Sequence, residues 1–169
     1  RADNRIVKRL EKTKERVEAK LQAALDATNK DDVVYFEETG IDALLVDEAH
    51  AFKSLPVYSR RSEVKGVPST RSDRATNMFM RTRWLMERNN NKGVVFATGT
   101  PVTNTLAEVY NLQRYLQPEL LEERGIESFD AWANLFADVT TDFEYTASGE
   151  YKPVSRMTDF VNQPELQQM

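Results

Sequence analysis

The sequence predicts an α/β fold: a partial parallel sheet with flanking helices and a long amino-terminal helical insertion. Three observations predict it. Two short apolar runs, Ile41 to Val46 and Val94 to Ala97, show no polar alternation, as suits strands buried on both faces of a parallel sheet. Each run is followed by a segment with helical periodicity, and strand, helix, strand, helix implies right-handed crossovers. Ahead of the first run, Asp3 to Asn29 contains no Pro or Gly.

In that leading segment Ile6, Leu10, Thr13, Val17, Leu21 and Ala24 recur at steps of three and four, with Lys, Arg and Glu on the other faces. The spacing predicts one amphipathic helix. At about 1.5 Å per residue it would span roughly 40 Å, so its stripe is expected to lie against another part of the parent polypeptide or to drive self-association. Asp31 or Asp32 is expected to cap a short turn ending at Gly40, which closes a first unit, residues 1–40.

The second unit, residues 41–127, holds the sheet. The first strand ends in Asp47 and Glu48, and a Pro-, Ser- and Arg-bearing loop runs from Phe52 to Thr70. Ser72 or Asp73 caps a helix with the stripe Ala75, Met78, Phe79, Leu85 and Met86, which Asn89 to Gly93 stops. The second strand leads into Thr98-Gly99-Thr100-Pro101. Thr105 and Glu108 have capping-box spacing for a third helix through Leu106, Val109, Tyr110, Leu112 and Leu116, closed by Pro118. In residues 128–169, Ser128 caps a helix carrying Phe129, Trp132, Leu135 and Phe136. Val139 to Tyr145 and Tyr151 to Val154 then read as a hairpin around Ala147-Ser148-Gly149-Glu150.

Composition narrows the chemistry. Leu, Ile, Val and Phe make up 40 of the 169 residues, enough for a core. There is no Cys, which excludes disulfide scaffolds, thiolate zinc sites and cysteine nucleophiles, and His50 is the single His, which excludes a multi-histidine metal site. No stretch has the 18 or so apolar residues of a membrane span, and a reducing cytoplasmic setting is expected. The chain opens on Arg1 and reads as a segment of a longer polypeptide. Charge is partitioned: residues 51–93 carry ten Lys or Arg against three acids, whereas residues 94–169 carry four against twelve. A basic middle within an acidic chain is a candidate polyanion footprint. Lys53, Arg60, Arg61, Lys65, Arg71 and Arg74 are the candidate phosphate contacts on DNA, and internal pairing with the acidic 94–169 segment is the alternative.

In open α/β sheets ligands bind beyond the carboxyl ends of the strands. Asp47-Glu48-Ala49-His50 follows the first strand and Thr98-Gly99-Thr100-Pro101 the second. Adjacent carboxylates at a strand end diverge, so one can meet a metal shell and the other a water, the division of labour that nucleotide hydrolysis requires.

Leu44-Leu45-Val46-Asp47-Glu48-Ala49-His50 resembles the Walker B, or DEAH, motif of the second helicase superfamily, and Ala97-Thr98-Gly99-Thr100-Pro101 with Val102-Thr103-Asn104 resembles its third motif in the Swi/Snf-type form. Phe52-Lys53-Ser54 and the helix with Leu106, Glu108, Tyr110, Leu112 and Leu116 extend the likeness. The chain is similar to the helicase part of helicase–methyltransferase fusions of phages and mobile elements. The resemblance is specific over residues 41–121.

It implies the second half of the first RecA-like lobe of an ATP-dependent DNA helicase or translocase, with ATP and Mg²⁺ as cofactors of the parent protein. Asp47 would hold Mg²⁺ through water, Glu48 would activate the attacking water, and His50, Thr98, Gly99 and Thr100 would couple the nucleotide state to DNA and to the second lobe. The departure is that none of Gly40, Gly66, Gly93, Gly99, Gly125 or Gly149 precedes a Lys, so the phosphate-binding loop is missing, as are the second lobe and its arginine finger. The isolated segment is therefore expected to be inactive. A non-catalytic nucleic-acid-binding module and a helical adaptor are the competing readings.

Overall fold

The computed structural model describes residues 2–27, 35–61, 63–67, 72–103, 105–145 and 149–169. Two compact units divide at 41/42. In the first, helix α1 spans Ala2–Ala27, close to the expected limits. Val7, Leu10, Val17 and Leu21 along it are about half exposed. The side chains of Ile6 and Ala24, and Asp31 and Asp32, lie outside what is described. The turn before Gly40 is a 3-10 turn at Phe36–Glu38 whose cap comes from within: the Glu38 carboxylate accepts the Tyr35 N–H at 3.2 Å.

The second unit runs β1 (Leu44–Val46), a 3-10 turn (Ala49–Phe52), α2 (Asp73–Arg88), β2 (Val94–Phe96), α3 (Ala107–Leu116), α4 (Pro118–Glu123), α5 (Phe129–Phe136), β3 (Ala137–Tyr145), β4 (Tyr151–Phe160) and α6 (Gln163–Gln167). Strands β1 and β2 pair in parallel, with Leu44, Leu45 and Val46 opposite Val94, Val95 and Phe96. Gly93 makes this register possible. A side chain there would meet the Asp42 carbonyl at 2.7 Å, and its φ of +90° is one that glycine alone adopts readily. The Asn89 side chain closes the same corner by donating to that carbonyl at 2.7 Å.

The expectation of strands buried on both faces fails. Val46 is buried, but Leu45 is 76% and Val95 55% exposed, because side chains alternate and helical cover reaches one face of this two-stranded sheet. On the covered face Leu55, Ala75 and Tyr115 form a buried cluster with Phe52, Met78, Phe79 and Phe96 around it.

Ser72 caps α2 by accepting the Ala75 N–H, and Ser128 caps α5 by accepting the Ala131 N–H, both as the sequence predicts. The capping box at Thr105 does not form: α3 starts at Ala107 behind Leu106, and the Glu108 carboxylate accepts the Thr103 N–H at 2.6 Å instead. Pro118 closes α3 and also opens α4, where its missing N–H costs nothing at the first turn.

The larger core gathers Tyr110, Leu121, Phe129, Trp132, Phe136 and Met157 from α3, α4, α5 and β4. It draws residues from both sides of the expected division at 127/128. Trp132 donates its indole N–H to Gln113 at 2.7 Å, which satisfies the polar edge of a fully buried ring. The hairpin is longer than expected, because β3 and β4 continue the ladder down to Ala137 opposite Phe160. Lys65 joins its edge, donating its N–H to the Ser155 carbonyl and accepting that of Met157. Among the described residues no helix is long and apolar enough to cross a membrane.

Candidate functional site

Parallel pairing places the ends of β1 and β2 side by side, and two backbone bonds carry the contact past the strands. The Ala97 N–H donates to the Val46 carbonyl at 2.8 Å, and the Ala49 N–H to the Ala97 carbonyl at 3.0 Å. Asp47-Glu48 and Thr98-Gly99 thus leave the sheet together. Asp47, Glu48 and His50 are exposed, whereas Ala49 between them is fully buried and anchors the loop.

Glu48 adopts φ 53° and ψ 43°, a left-handed conformation that costs a non-glycine residue about 1–3 kcal/mol. This twist reverses the chain into the 3-10 turn and brings the Glu48 carboxylate to 3.0 Å from His50 Nδ1. Asp47 Oδ1 accepts the Glu48 N–H at 2.8 Å, and the residue is exposed. On the other loop Thr98 Oγ1 accepts the Thr100 N–H at 3.1 Å, and beyond its two chain neighbours nothing lies within 4 Å of the position a Gly99 side chain would take. Among the described residues no group of three His, Asp or Glu could cage a metal. An exposed carboxylate such as Asp47 would suit Mg²⁺, which keeps several waters and takes few protein ligands.

The two loops are joined behind the carboxylates by a residue that the sequence suggested for a different role. Lys53 is buried at 6% exposure, and its ammonium donates to the Thr100 carbonyl at 2.9 Å, Thr103 Oγ1 at 3.1 Å and Glu108 Oε2 at 2.9 Å. Its three protons are all used, so it has none to offer a DNA phosphate. The buried Asn111 donates to the Lys53 and Leu55 carbonyls and accepts from Arg114, fixing the Lys53 backbone. Arg114 lies over the rings of Phe79 and Tyr110, and burial lowers its pKa against the partial support of neighbouring tyrosines. Tyr115 donates to the Ala75 carbonyl at 2.7 Å and lies 3.2 Å from that of Phe52. Burial raises its pKa well above the usual tyrosine value, partly offset by Arg114.

The other basic candidates separate. Lys65 pairs with Glu144 at 2.7 Å, and Glu144 also holds Arg156. Arg61 donates to the Asn134 side chain, and its N–H to Ser59. The Arg60 N–H is taken by Asp130 at 3.0 Å while its side chain is exposed. Arg74 donates to the Ala51 carbonyl and lies over Phe52, 5.5 Å from the ring centre. Arg71 lies outside the described residues. The acidic carboxyl-terminal segment therefore does take up part of the basic middle, through the Lys53–Glu108 and Lys65–Glu144 pairs. Reasoning from charge density missed the burial of Lys53 and the part played by Glu108. No local spacing signals it, because Glu108 lies 55 positions from Lys53.

The chain is similar to the Defense against restriction protein B of Escherichia phage P1, with 28% identity over 131 residues, which is 76% of this chain and 6% of that protein. This chain thus corresponds to a small part of its relative. No solved structure matches. With paired strand ends carrying Asp47-Glu48 and Thr98-Gly99, and with the family model described as "Probable helicase domain" matching residues 1–169, the chain belongs to that helicase-related family.

Proposed function

We propose that this domain supplies the water-activating and coupling half of an ATP-driven DNA helicase or translocase motor of Swi/Snf type, whose phosphate-binding loop and second RecA-like lobe lie elsewhere in the polypeptide. One observation carries the reading. The parallel β1–β2 pair delivers an exposed Asp47, a left-handed Glu48 and the Thr98-Gly99-Thr100 turn to a single sheet end.

In this reading Asp47 would hold Mg²⁺ through water, and the ion would supply charge neutralisation on the ATP phosphates. Glu48 accepts the proton of the attacking water, with His50 against its carboxylate setting its orientation. Gly99, with open space around it, permits close approach of DNA or the second lobe. That the family is helicase-related and the P1 relative acts in defence against restriction supports DNA as the polymer.

The intact protein is expected to show DNA-stimulated ATP hydrolysis that Asp47→Asn lowers at least 100-fold. An Asp47→Asn protein with near-normal turnover at limiting Mg²⁺ would remove the reading. The 169-residue chain alone is expected to bind no ATP at micromolar concentration by calorimetry, because it has no phosphate cradle.

A further inference from the structure

We propose that Lys53 and Glu108 are positioning residues forming a strap that holds the Thr98–Thr103 turn to the Asp47–His50 loop, and that this strap sets how far DNA accelerates ATP turnover. The inference rests on the ATPase reading above and extends it to residues with no catalytic contact.

The strap is short and internal. Its two ends lie 55 positions apart in the chain, with side chains 7% and 13% exposed. Five bonds converge on it: three from the Lys53 ammonium, and two onto Glu108 from the Thr103 N–H and hydroxyl. Lys53 also ends the 3-10 turn that Glu48 begins, its N–H pointing to the His50 carbonyl at 3.4 Å. A displacement of Thr100 or Thr103 therefore reaches the Glu48 backbone through one side chain and one turn.

Stability alone does not explain the choice of residues. Burying a charge pair costs desolvation that its attraction barely returns, and apolar replacements are often as stable. A buried ion pair does, however, permit one geometry where an apolar contact permits several. The Lys53–Thr100 bond makes that geometry a property of both loops at once.

The test uses the intact protein with Mg-ATP and mixed-sequence duplex DNA. ATP affinity, turnover without DNA and turnover with saturating DNA are measured for wild type, Lys53→Met/Glu108→Met and Thr103→Val. The double variant is expected to bind ATP within about twofold of wild type while losing at least tenfold of its DNA stimulation. Thr103→Val changes an exposed residue and one rung of the strap, and a severalfold loss of stimulation is expected. Wild-type stimulation in either folded variant overturns the strap. If the double variant does not fold, Thr103→Val alone decides. A wild-type protein that hydrolyses no ATP overturns the underlying reading and the strap with it, a result distinct from hydrolysis that Asp47→Asn abolishes but the strap variants leave untouched.

Discussion

Lys53 shows how one side chain changes meaning once its surroundings are known. In the chain it is the first of the six candidate phosphate contacts; in the fold it is buried with Glu108. Removing one member of such a pair strands the other, so Lys53→Met should cost about 3–5 kcal/mol, while Lys53→Met/Glu108→Met should cost far less. Urea unfolding of the two variants measures the difference, and equal losses would show that the pair does not act as a unit.

Tyr115 offers a pH test at the same scale. Its folded pKa is raised by burial, so above about pH 10, the ordinary value, the unfolded chain gives up its proton first. The stability that Tyr115 contributes is complete below pH 10 and falls as pH rises beyond it. Tyr115→Phe should lose about 1 kcal/mol at neutral pH through the Ala75 bond and flatten the alkaline decline. An unchanged alkaline slope in melts between pH 8 and 11 would contradict this.

Among the elements, the β3–β4 ribbon has two characters. Phe143 and Pro153, then Tyr145 and Tyr151, face each other across the strands and are exposed, whereas Glu144 on the opposite side collects Lys65 and Arg156. Lys65 thus braces the ribbon and Arg61 braces α5. Arg60→Ala/Arg61→Ala/Lys65→Ala should lower Tm by about 2–4 °C, since exposed pairs contribute little each. It should leave the salt dependence of DNA affinity close to wild type. A log–log salt slope shallower by about 0.7–0.9 per residue would instead make these residues phosphate contacts.

Helices α2 and α5 and their serine caps were legible because local signals, an N-cap hydroxyl followed by a 3.6-residue stripe, decide them. The strap was not, since Glu108 has capping-box spacing and its true partner lies 55 residues upstream, a long-range contact that local pattern does not encode.

At the scale of the molecule, the order of elements and the parallel pairing of the two apolar runs follow from their unbroken hydrophobicity. Their one-sided exposure does not, because a continuous apolar run reports the burial available in a finished sheet. Leu45 and Val95 uncovered, together with a relative of which this chain matches 6%, fit a sheet completed by other parts of a larger polypeptide. The half-exposed Leu10, Val17 and Leu21 on α1 point the same way. The 169-residue chain should therefore self-associate in light scattering, and Leu10→Lys/Leu21→Lys should reduce that association. A strictly monomeric wild-type chain would contradict this account of α1.

The central claim is that the sheet end carrying Asp47, Glu48 and Thr98 is half of an ATPase site. Glu48→Gln in the intact protein tests it most directly, because the amide keeps the shape and the left-handed backbone but cannot accept a proton. The account predicts ATP affinity within about twofold of wild type and DNA-stimulated hydrolysis reduced at least 100-fold. Hydrolysis within a few-fold of wild type would contradict it.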